Sequence, residues 1–292
     1  MKIINFGSLN IDYVYSAENI VKKGETIASY SLEQFPGGKG LNQSIAIARA
    51  GGRATHAGMY SHEGQFLHDI LLSSGVDVSK LKKMNAANGH AIIQVDSVGE
   101  NSIVLFAGTN DMIDEEYIDT VLSGVTGDEI ILFQNETSGI AIAMKKAKEL
   151  GCKIAINPAP MNKKVMDYPL DLVDIFVVNL TEGQRLSSQI KPSKILDALC
   201  EKYPKAKVIL TLGSKGSWYS KGEEKFFIKA NKVRNVVDTT AAGDTFIGYY
   251  LANISTGMSD HKALLIATQA AAICITRKGA AVSIPHSDEL KL

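Results

Sequence analysis

The sequence is poor in the residues that build covalent or metal frameworks. Its 292 residues include three cysteines, Cys152, Cys200 and Cys274, odd in number and far apart. No Cys-x-x-Cys pair or Cys/His spacing is present, so neither a disulfide framework nor a zinc site is indicated, and reduced, mostly buried thiols are expected. Neither charge is in excess: 31 Lys plus Arg balance 31 Asp plus Glu. Nucleic acid and anionic membrane surfaces both demand a basic excess, so neither is expected as the main partner, although a local basic site for phosphate stays open. The longest uncharged stretch near the C-terminus, residues 263–276, is too short for a bilayer span. The apolar start, Met1-Lys2-Ile3-Ile4-Asn5-Phe6-Gly7, is too short for a signal peptide. A cytoplasmic protein is expected. Also missing are a GxxxxGK[ST] phosphate loop, since Gly40 follows Lys39, and a GxGxxG turn after a first strand. Nucleotide binding of the P-loop or nicotinamide type therefore lacks its signature. With no internal repeat, low-complexity tract or linker, residues 1–292 read as one domain.

What is present is an ordinary globular balance, 45% hydrophobic and 21% charged. Short Ile/Val-rich runs recur at 2–6, 129–133, 153–156, 175–178 and 207–210, nearly continuous rather than alternating, as strands covered on both faces require. Amphipathic helices are expected between and after them, at 138–150 before Gly151, at 193–202 before Pro204, and at 242–253 and 260–276. Such alternation predicts an α/β fold, a doubly wound, mostly parallel sheet flanked by helices. Residues of about 11–35 and 88–106 alternate more, as in Tyr13-Val14-Tyr15 and Ile103-Val104-Leu105-Phe106. They are expected to form a small antiparallel β-sheet projecting as a lid.

Several polar motifs could carry chemistry. In Asp238-Thr239-Thr240-Ala241-Ala242-Gly243-Asp244, small residues lead into a helix. Its N-terminal amides and positive potential suit a phosphoryl group, and Asp244 would lie where it can take a proton from an attacking hydroxyl. Alone, Asp244 reads sooner as a helix cap, since Asp caps are common. Gly37-Gly38-Lys39-Gly40-Leu41-Asn42-Gln43 lets a polyol lie against backbone, with Asn42 able to bond two hydroxyls, or is simply a helix-entry loop. Asn10 and Asp12, on one side of an extended chain after the first strand, suit vicinal hydroxyls or a turn. Gln134-Asn135-Glu136, Asn157-Pro158-Ala159-Pro160, Asn179-Leu180-Thr181-Glu182 and Thr211-Leu212-Gly213-Ser214-Lys215-Gly216 each follow an apolar run. Together they would line one edge of the sheet, where Glu136 and Glu182 could hold Mg²⁺ through water. By composition, Thr276-Arg277-Lys278-Gly279 is a helix end with favourable cations and a glycine stop.

Taken in order, these motifs resemble the ribokinase-like (PfkB) family of carbohydrate kinases over nearly the whole chain, the GGKG and DTxxxGD pair being its specific mark. The resemblance implies an ATP-dependent phosphotransferase acting on a primary hydroxyl of a small sugar, with ribose first in expectation and fructose, 2-keto-3-deoxygluconate, deoxyribose or a nucleoside behind it. It implies Asp244 as base, with Ala241, Ala242 and Gly243 as an anion hole. It implies Asn10, Asp12, Gly38, Lys39, Asn42 and Glu136 around the sugar. Asn179 and Glu182 match a motif that works with Mg²⁺ and phosphate. Thr211, Gly213, Ser214, Lys215 and Gly216 match the nucleotide loop, with Thr268 beside the adenine. Asp238, Thr240, Cys274, Arg277, Gly279 and Ser283 match positions that ligate a monovalent cation, K⁺, mostly through backbone oxygens. A homodimer through the lid is implied as well.

Three positions depart from the pattern. Ala241 stands for the first Gly of GAGD, Leu180 for a Glu often found inside the NxxE motif, and Asn88-Gly89-His90-Ala91 for a Thr-Gly-Val-Ala common in such lids. His90 could face sugar, solvent or a partner subunit. A sugar-binding regulator that no longer catalyses would be expected to lose Asp244 or Gly243, and both are present. A nucleotide-binding redox enzyme would instead bind NAD tightly.

Overall fold

A computed structural model of the protein describes residues 1–291. The strands are β1 (Ile3–Phe6), β2 (Asn10–Ser16), β3 (Ser31–Gly37), β4 (Ala54–Ser61), β5 (Asp77–Met84), β6 (Gly89–Val95), β7 (Asn101–Phe106), β8 (Ile130–Phe133), β9 (Lys153–Ile156), β10 (Ile175–Asn179), β11 (Lys207–Thr211), β12 (Gly216–Lys221) and β13 (Glu224–Lys229). The helices are α1 (Lys39–Arg49), α2 (Gln65–Ser73), α3 (Glu115–Leu122), α4 (Ile140–Glu149), α5 (Leu180–Ser187), α6 (Pro192–Lys202), α7 (Ala242–Ser255) and α8 (Asp260–Cys274).

Each Ile/Val run is a strand because both of its faces are covered. In β1, Ile3 belongs to a core shared with α1, α2, α7 and α8, whereas Ile4 belongs to a second core with α3, α4 and α6. Two apolar layers on either side of one sheet are the expected doubly wound arrangement. The sheet has nine strands in the order β13-β12-β11-β10-β9-β8-β1-β4-β5. Neighbours from β5 to β11 are parallel, and β12 and β13 add an antiparallel edge. From β1 the chain winds outward to β4 and β5, then returns to β8 and winds the other way. The gap between β1 and β8 is therefore a topological switch point, where loops at the carboxyl ends diverge and leave a crevice.

The second sheet has four strands in the order β3-β2-β6-β7. It is mixed, not wholly antiparallel as the sequence suggested: β2–β3 and β6–β7 are antiparallel, but the central β2–β6 pair is parallel. Both hairpins spring from the same edge of the main sheet, so their inner strands run outward together, with Asn10 opposite Gly89 at the base.

α7 is apolar nearly all round and buried along almost its whole length between α1 and α8. It approaches α1 closely because Gly248 faces Ala46, where a Cβ would lie 2.3 Å from the alanine methyl. That crossing brings the first turn of α7 against the first turn of α1. Among the described residues no helix is long and apolar enough to cross a membrane.

Candidate active site

The crevice is built from the end of β1 and the start of α1. Gly7 and Gly40 touch there through backbone, since a Cβ on Gly40 would sit 2.3 Å from Gly7 Cα. The residue before α1, Gly38, has no side chain with which to cap the helix. Remote groups satisfy its first amides instead. Glu136 Oε2 accepts from Lys39 N at 2.9 Å and from Ser8 Oγ at 2.5 Å, while Ser8 Oγ accepts from Gly40 N at 3.2 Å. Glu136 thus fastens the loop after β8 to α1, using one of its two oxygens. Burial pushes its carboxyl upward, opposed by Lys39 and Ser8.

Asp244 lies in the first turn of α7 and is buried. Asn42 Nδ2 donates to its Oδ2 at 3.1 Å and Gln43 Nε2 donates to its Oδ1 at 2.8 Å. Ala241, at the N-cap, has φ +59° and contributes no side-chain cap. Ala242 N donates to the Thr239 carbonyl at 3.3 Å, and the amide of Gly243 follows it in the first turn with the helix's positive end behind it. Ala242 lies at this mouth and Gly243 is open there. Asn42 Oδ1 is buried without a hydrogen-bond partner, an acceptor available to a hydroxyl.

Asn10 and Asp12 lie on the same face of β2, as period-two alternation predicts. Asn10 Oδ1 accepts from Asn110 Nδ2 at 2.7 Å. Asp12 is half-buried, and burial together with the Glu136 charge pushes its pKa up to about 7. His90 falls on the opposite face of this sheet, packed on Phe106 and Tyr13 with ring centroids 5.1 and 6.0 Å away. Its Nδ1 lies 3.0 Å from the Asn88 carbonyl. At the rim of the crevice the Lys39 ammonium is held charged first by Asp244 and then, against burial, by Glu136 and Glu182.

Two adjoining cavities, of about 210 and 250 Å³, share Asn179 and Thr211. The first is lined by Lys39, Glu182, Ala241, Gly243 and Asp244; the second continues over Leu180, Gly213 and Lys215. Asn179 and Glu182 form the capping box of α5: Asn179 Oδ1 accepts from Glu182 N, and Glu182 Oε2 accepts from Asn179 N, both at 2.9 Å. Burial raises the Glu182 carboxyl. Ser214 and Lys215 are exposed on the turn before β12, and Gly216 is packed beneath it against the Ile228 carbonyl. Thr268 is buried in α8 and spends its hydroxyl proton on the Leu264 carbonyl at 2.7 Å.

The segment after α8 folds back onto the loop before α7. Asp238 Oδ1 accepts from Thr240 N at 2.9 Å and Oδ2 accepts from Gly279 N at 2.9 Å. Although burial opposes it, the Thr240 hydroxyl, which donates to Oδ1 at 2.6 Å, and these two amides hold the Asp238 carboxyl below its ordinary range. Cys274 Sγ lies 3.1 Å from Ser283 Oγ and 3.6 Å from the Thr240 carbonyl. Burial pushes that thiol up, so it stays protonated. The Arg277 guanidinium pairs with Glu289, leaving only backbone oxygen for any inward contact. Among the described residues no cluster of three or more His, Cys, Asp or Glu side chains is poised to hold a metal. A cation beside Asp238 would rest on carboxylate, carbonyl and hydroxyl oxygens, a set suited to a hard ion.

Behind Asp244 lies a buried polar group, Asn5, Gln43, Ser44, His56, Gln134 and Asn157, linked by hydrogen bonds. Sequence reasoning placed Gln43, Gln134 and Asn157 in motifs without seeing that they join, and passed over Asn5, Ser44 and His56, whose one signal was a polar residue inside an otherwise apolar element.

The pfkB family carbohydrate kinase profile matches residues 1–287. A ribokinase of Haemophilus influenzae is 33% identical, covering 97% of this chain and 95% of its own. A Cryptococcus neoformans ribokinase solved with ADP superposes with TM-score 0.86 at 32% identity, covering 99% of this chain and 97% of its own. An Arabidopsis thaliana ribokinase complexed with ribose and ATP also reaches TM-score 0.86, at 28% identity, covering 98% of this chain and 96% of its own. With the same fold and a crevice at its switch point, the chain belongs to the pfkB family of carbohydrate kinases, phosphotransferases with an alcohol group as acceptor.

Proposed function

We propose that the protein transfers the γ-phosphoryl group of ATP to the primary hydroxyl of a small sugar, D-ribose first, with Asp244 as general base. One observation carries this: a buried carboxylate in the first turn of α7, whose N-cap gives no side-chain bond, is bonded to Asn42, in the first turn of α1 directly after the glycine-rich loop. The ligands of the similar Arabidopsis protein, ribose and ATP, support the choice of substrates.

In this reading the sugar lies between Asn10, Asp12, Gly38, Lys39, Asn42 and Glu136. The nucleotide lies along the two cavities, its phosphates towards Lys39 and α7 and its base over the turn formed by Thr211, Gly213, Ser214, Lys215 and Gly216, with Thr268 behind. Asp244 accepts the hydroxyl proton. The sugar oxygen bonds to Pγ, the bond from Pγ to the bridging oxygen breaks, and its electron pair leaves with ADP. The amides of Ala242 and Gly243 and the backbone at Ala241 receive charge that develops on the phosphoryl oxygens. Lys39 stands against the three carboxylates of Asp244, Glu136 and Glu182, so triphosphate entering this site needs further positive charge. Mg²⁺ resting on water held by Glu182 and Asn179 would supply it. K⁺ held by Asp238 and by oxygens of Thr240, Cys274, Arg277, Gly279 and Ser283 would brace the loop before α7. We further propose a homodimer joined through the four-stranded sheet acting as lid, in the cytoplasm.

The test is Asp244→Asn, measured by ADP release and by calorimetric binding. Turnover is expected to fall by roughly 10²- to 10⁴-fold, the usual worth of a general base, with ATP and ribose still bound. Near-normal turnover would remove Asp244 from the chemistry. In the same assay, ADP release faster with fructose, 2-keto-3-deoxygluconate, deoxyribose or a nucleoside than with ribose would change the assigned sugar.

A further inference from the structure

Behind Asp244 the interior holds a chain of polar side chains whose hydrogen bonds have only one consistent direction. Asn5 (β1), Gln43 and Ser44 (α1), His56 (β4) and Gln134 (after β8) are 0–1% exposed. His56 is the fixed end. Its Nε2 lies 3.1 Å from the Gly7 carbonyl, which can only accept, so Nε2 carries the proton. Burial pushes this imidazole down to about 4, so it is neutral and Nδ1 must accept, at 2.8 Å, from Ser44 Oγ. Having spent its proton there, Ser44 accepts from Asn5 Nδ2 at 2.9 Å, and the same amide donates to the Gly40 carbonyl at 2.8 Å. Asn5 Oδ1 then accepts from Gln134 Nε2 at 2.8 Å. The second proton of Gln134 Nε2 goes to Gln43 Oε1 at 2.8 Å. With its oxygen engaged, Gln43 must turn its amide nitrogen outward, to Asp244 Oδ1 at 2.8 Å and Asn157 Oδ1 at 3.3 Å. A flipped Gln43 would set oxygen against oxygen at Asp244 and nitrogen against nitrogen at Gln134.

We infer that Gln43 is a positioning residue for the phosphoryl transfer: latched by Gln134 and Asn5, it pins Oδ1 of Asp244 and so turns Oδ2, beside Asn42, to the acceptor hydroxyl. The inference rests on the reading of Asp244 as base and deepens it. It assigns Gln43 an effect on turnover rather than on substrate affinity, because Gln43 is fully buried and meets the crevice only from behind, through the Asp244 carboxylate at 2.8 Å and, at 3.3 Å, the Asn157 side chain.

The test compares Gln43→Met, which keeps the bulk and removes the amide, with Gln43→Glu, which keeps the shape and sets an acceptor against Asp244. Gln43→Met is expected to lower kcat by roughly 10- to 100-fold, the usual result of loosening a reacting group, with KM for sugar and for ATP within about 3-fold of the unaltered enzyme. Losing a donor to the carboxylate also moves the acid limb of the kcat–pH profile to higher pH, and Gln43→Glu moves it further. Gln134→Met touches no part of Asp244 and leaves Gln43 in place but unlatched; a smaller loss in kcat, with the same pH displacement in sign, is expected even if the Gln43 variants fold poorly. Unchanged kcat and pH profile in Gln43→Met, or a loss confined to KM, overturns the inference. Asp244→Asn run alongside separates the two levels. If it is active, the functional reading itself is wrong; if it is inactive while Gln43→Met and Gln134→Met turn over normally, only the latch is wrong.

Discussion

Asp12 is the residue whose environment makes the sharpest demand on solution conditions. A carboxyl with a reference pKa of 3.8 is pushed up to about 7 by burial first and by Glu136 second. An acid raised in this way is protonated below the shifted value and charged above it. If Asp12 takes hydroxyl protons from the sugar, the charged form binds better. Sugar affinity measured by calorimetry without nucleotide should therefore fall as pH drops from 8 to 6, and Asp12→Asn should bind more weakly at pH 8 and flatten the dependence. A pH-independent affinity in the unaltered protein would remove Asp12 from the sugar contacts. The sequence made Asn10, Asp12, Asn42 and Asp244 legible because they stand in short motifs at strand ends. It could not show the pairing of Asn42 with Asp244, which are 202 residues apart and meet only through the α1–α7 crossing. Nor could it distinguish Gln43 or Gln134 as anything but members of those motifs, since the direction of a hydrogen bond is a property of the assembled interior.

At the scale of elements, α7 begins with a conformational oddity that its sequence announces only as a missing glycine. Ala241 adopts φ +59°, a left-handed conformation that costs an L-residue on the order of 1–2 kcal/mol. Ala241→Gly removes that cost but adds flexibility to the unfolded chain worth roughly 0.5–1 kcal/mol. Thermal unfolding should consequently change by less than about 1 kcal/mol, with turnover retained. Ala241→Val places a β-branched side chain where it is a conformational outlier and should lower both stability and kcat by misplacing the first amides of α7. Equal stability and activity in the valine variant would mean that this turn is not under the constraint described. Elements with one dominant period were readable in advance: the Ile/Val runs became β1, β8, β9, β10 and β11 nearly at their expected ends. β4 was not, because Ala54-Thr55-His56-Ala57-Gly58-Met59-Tyr60-Ser61 buries small and polar residues instead of an aliphatic run. In the second sheet, alternation revealed the strands, yet the parallel β2–β6 pair depends on where two separate hairpins leave the main sheet.

For the molecule as a whole, the four-stranded sheet poses an unsolved burial problem. Every residue of its edge strand β7 is exposed, including Ile103 at 52%, Val104 at 62%, Leu105 at 55% and Phe106 at 51%. An apolar strand with an unpaired edge invites association, and natural proteins cover or charge such edges. Neighbouring residues of β7 point to opposite faces, so whichever face meets a partner, charging both Ile103 and Val104 must oppose it. The intact protein is expected to sediment at twice the chain mass at assay concentration. Ile103→Asp combined with Val104→Asp should sediment at the chain mass while keeping its circular dichroism, because both side chains already lie outside the two cores of the main sheet. Sugar affinity should weaken in that variant more than ATP affinity, since Asn10 and Asp12 belong to the sheet being unpaired while the nucleotide cavities lie on α1, α5, α7 and the turn after β11. A single-chain mass for the intact protein would show that this apolar edge is tolerated in water and would detach the sheet's role over the sugar from any pairing of subunits.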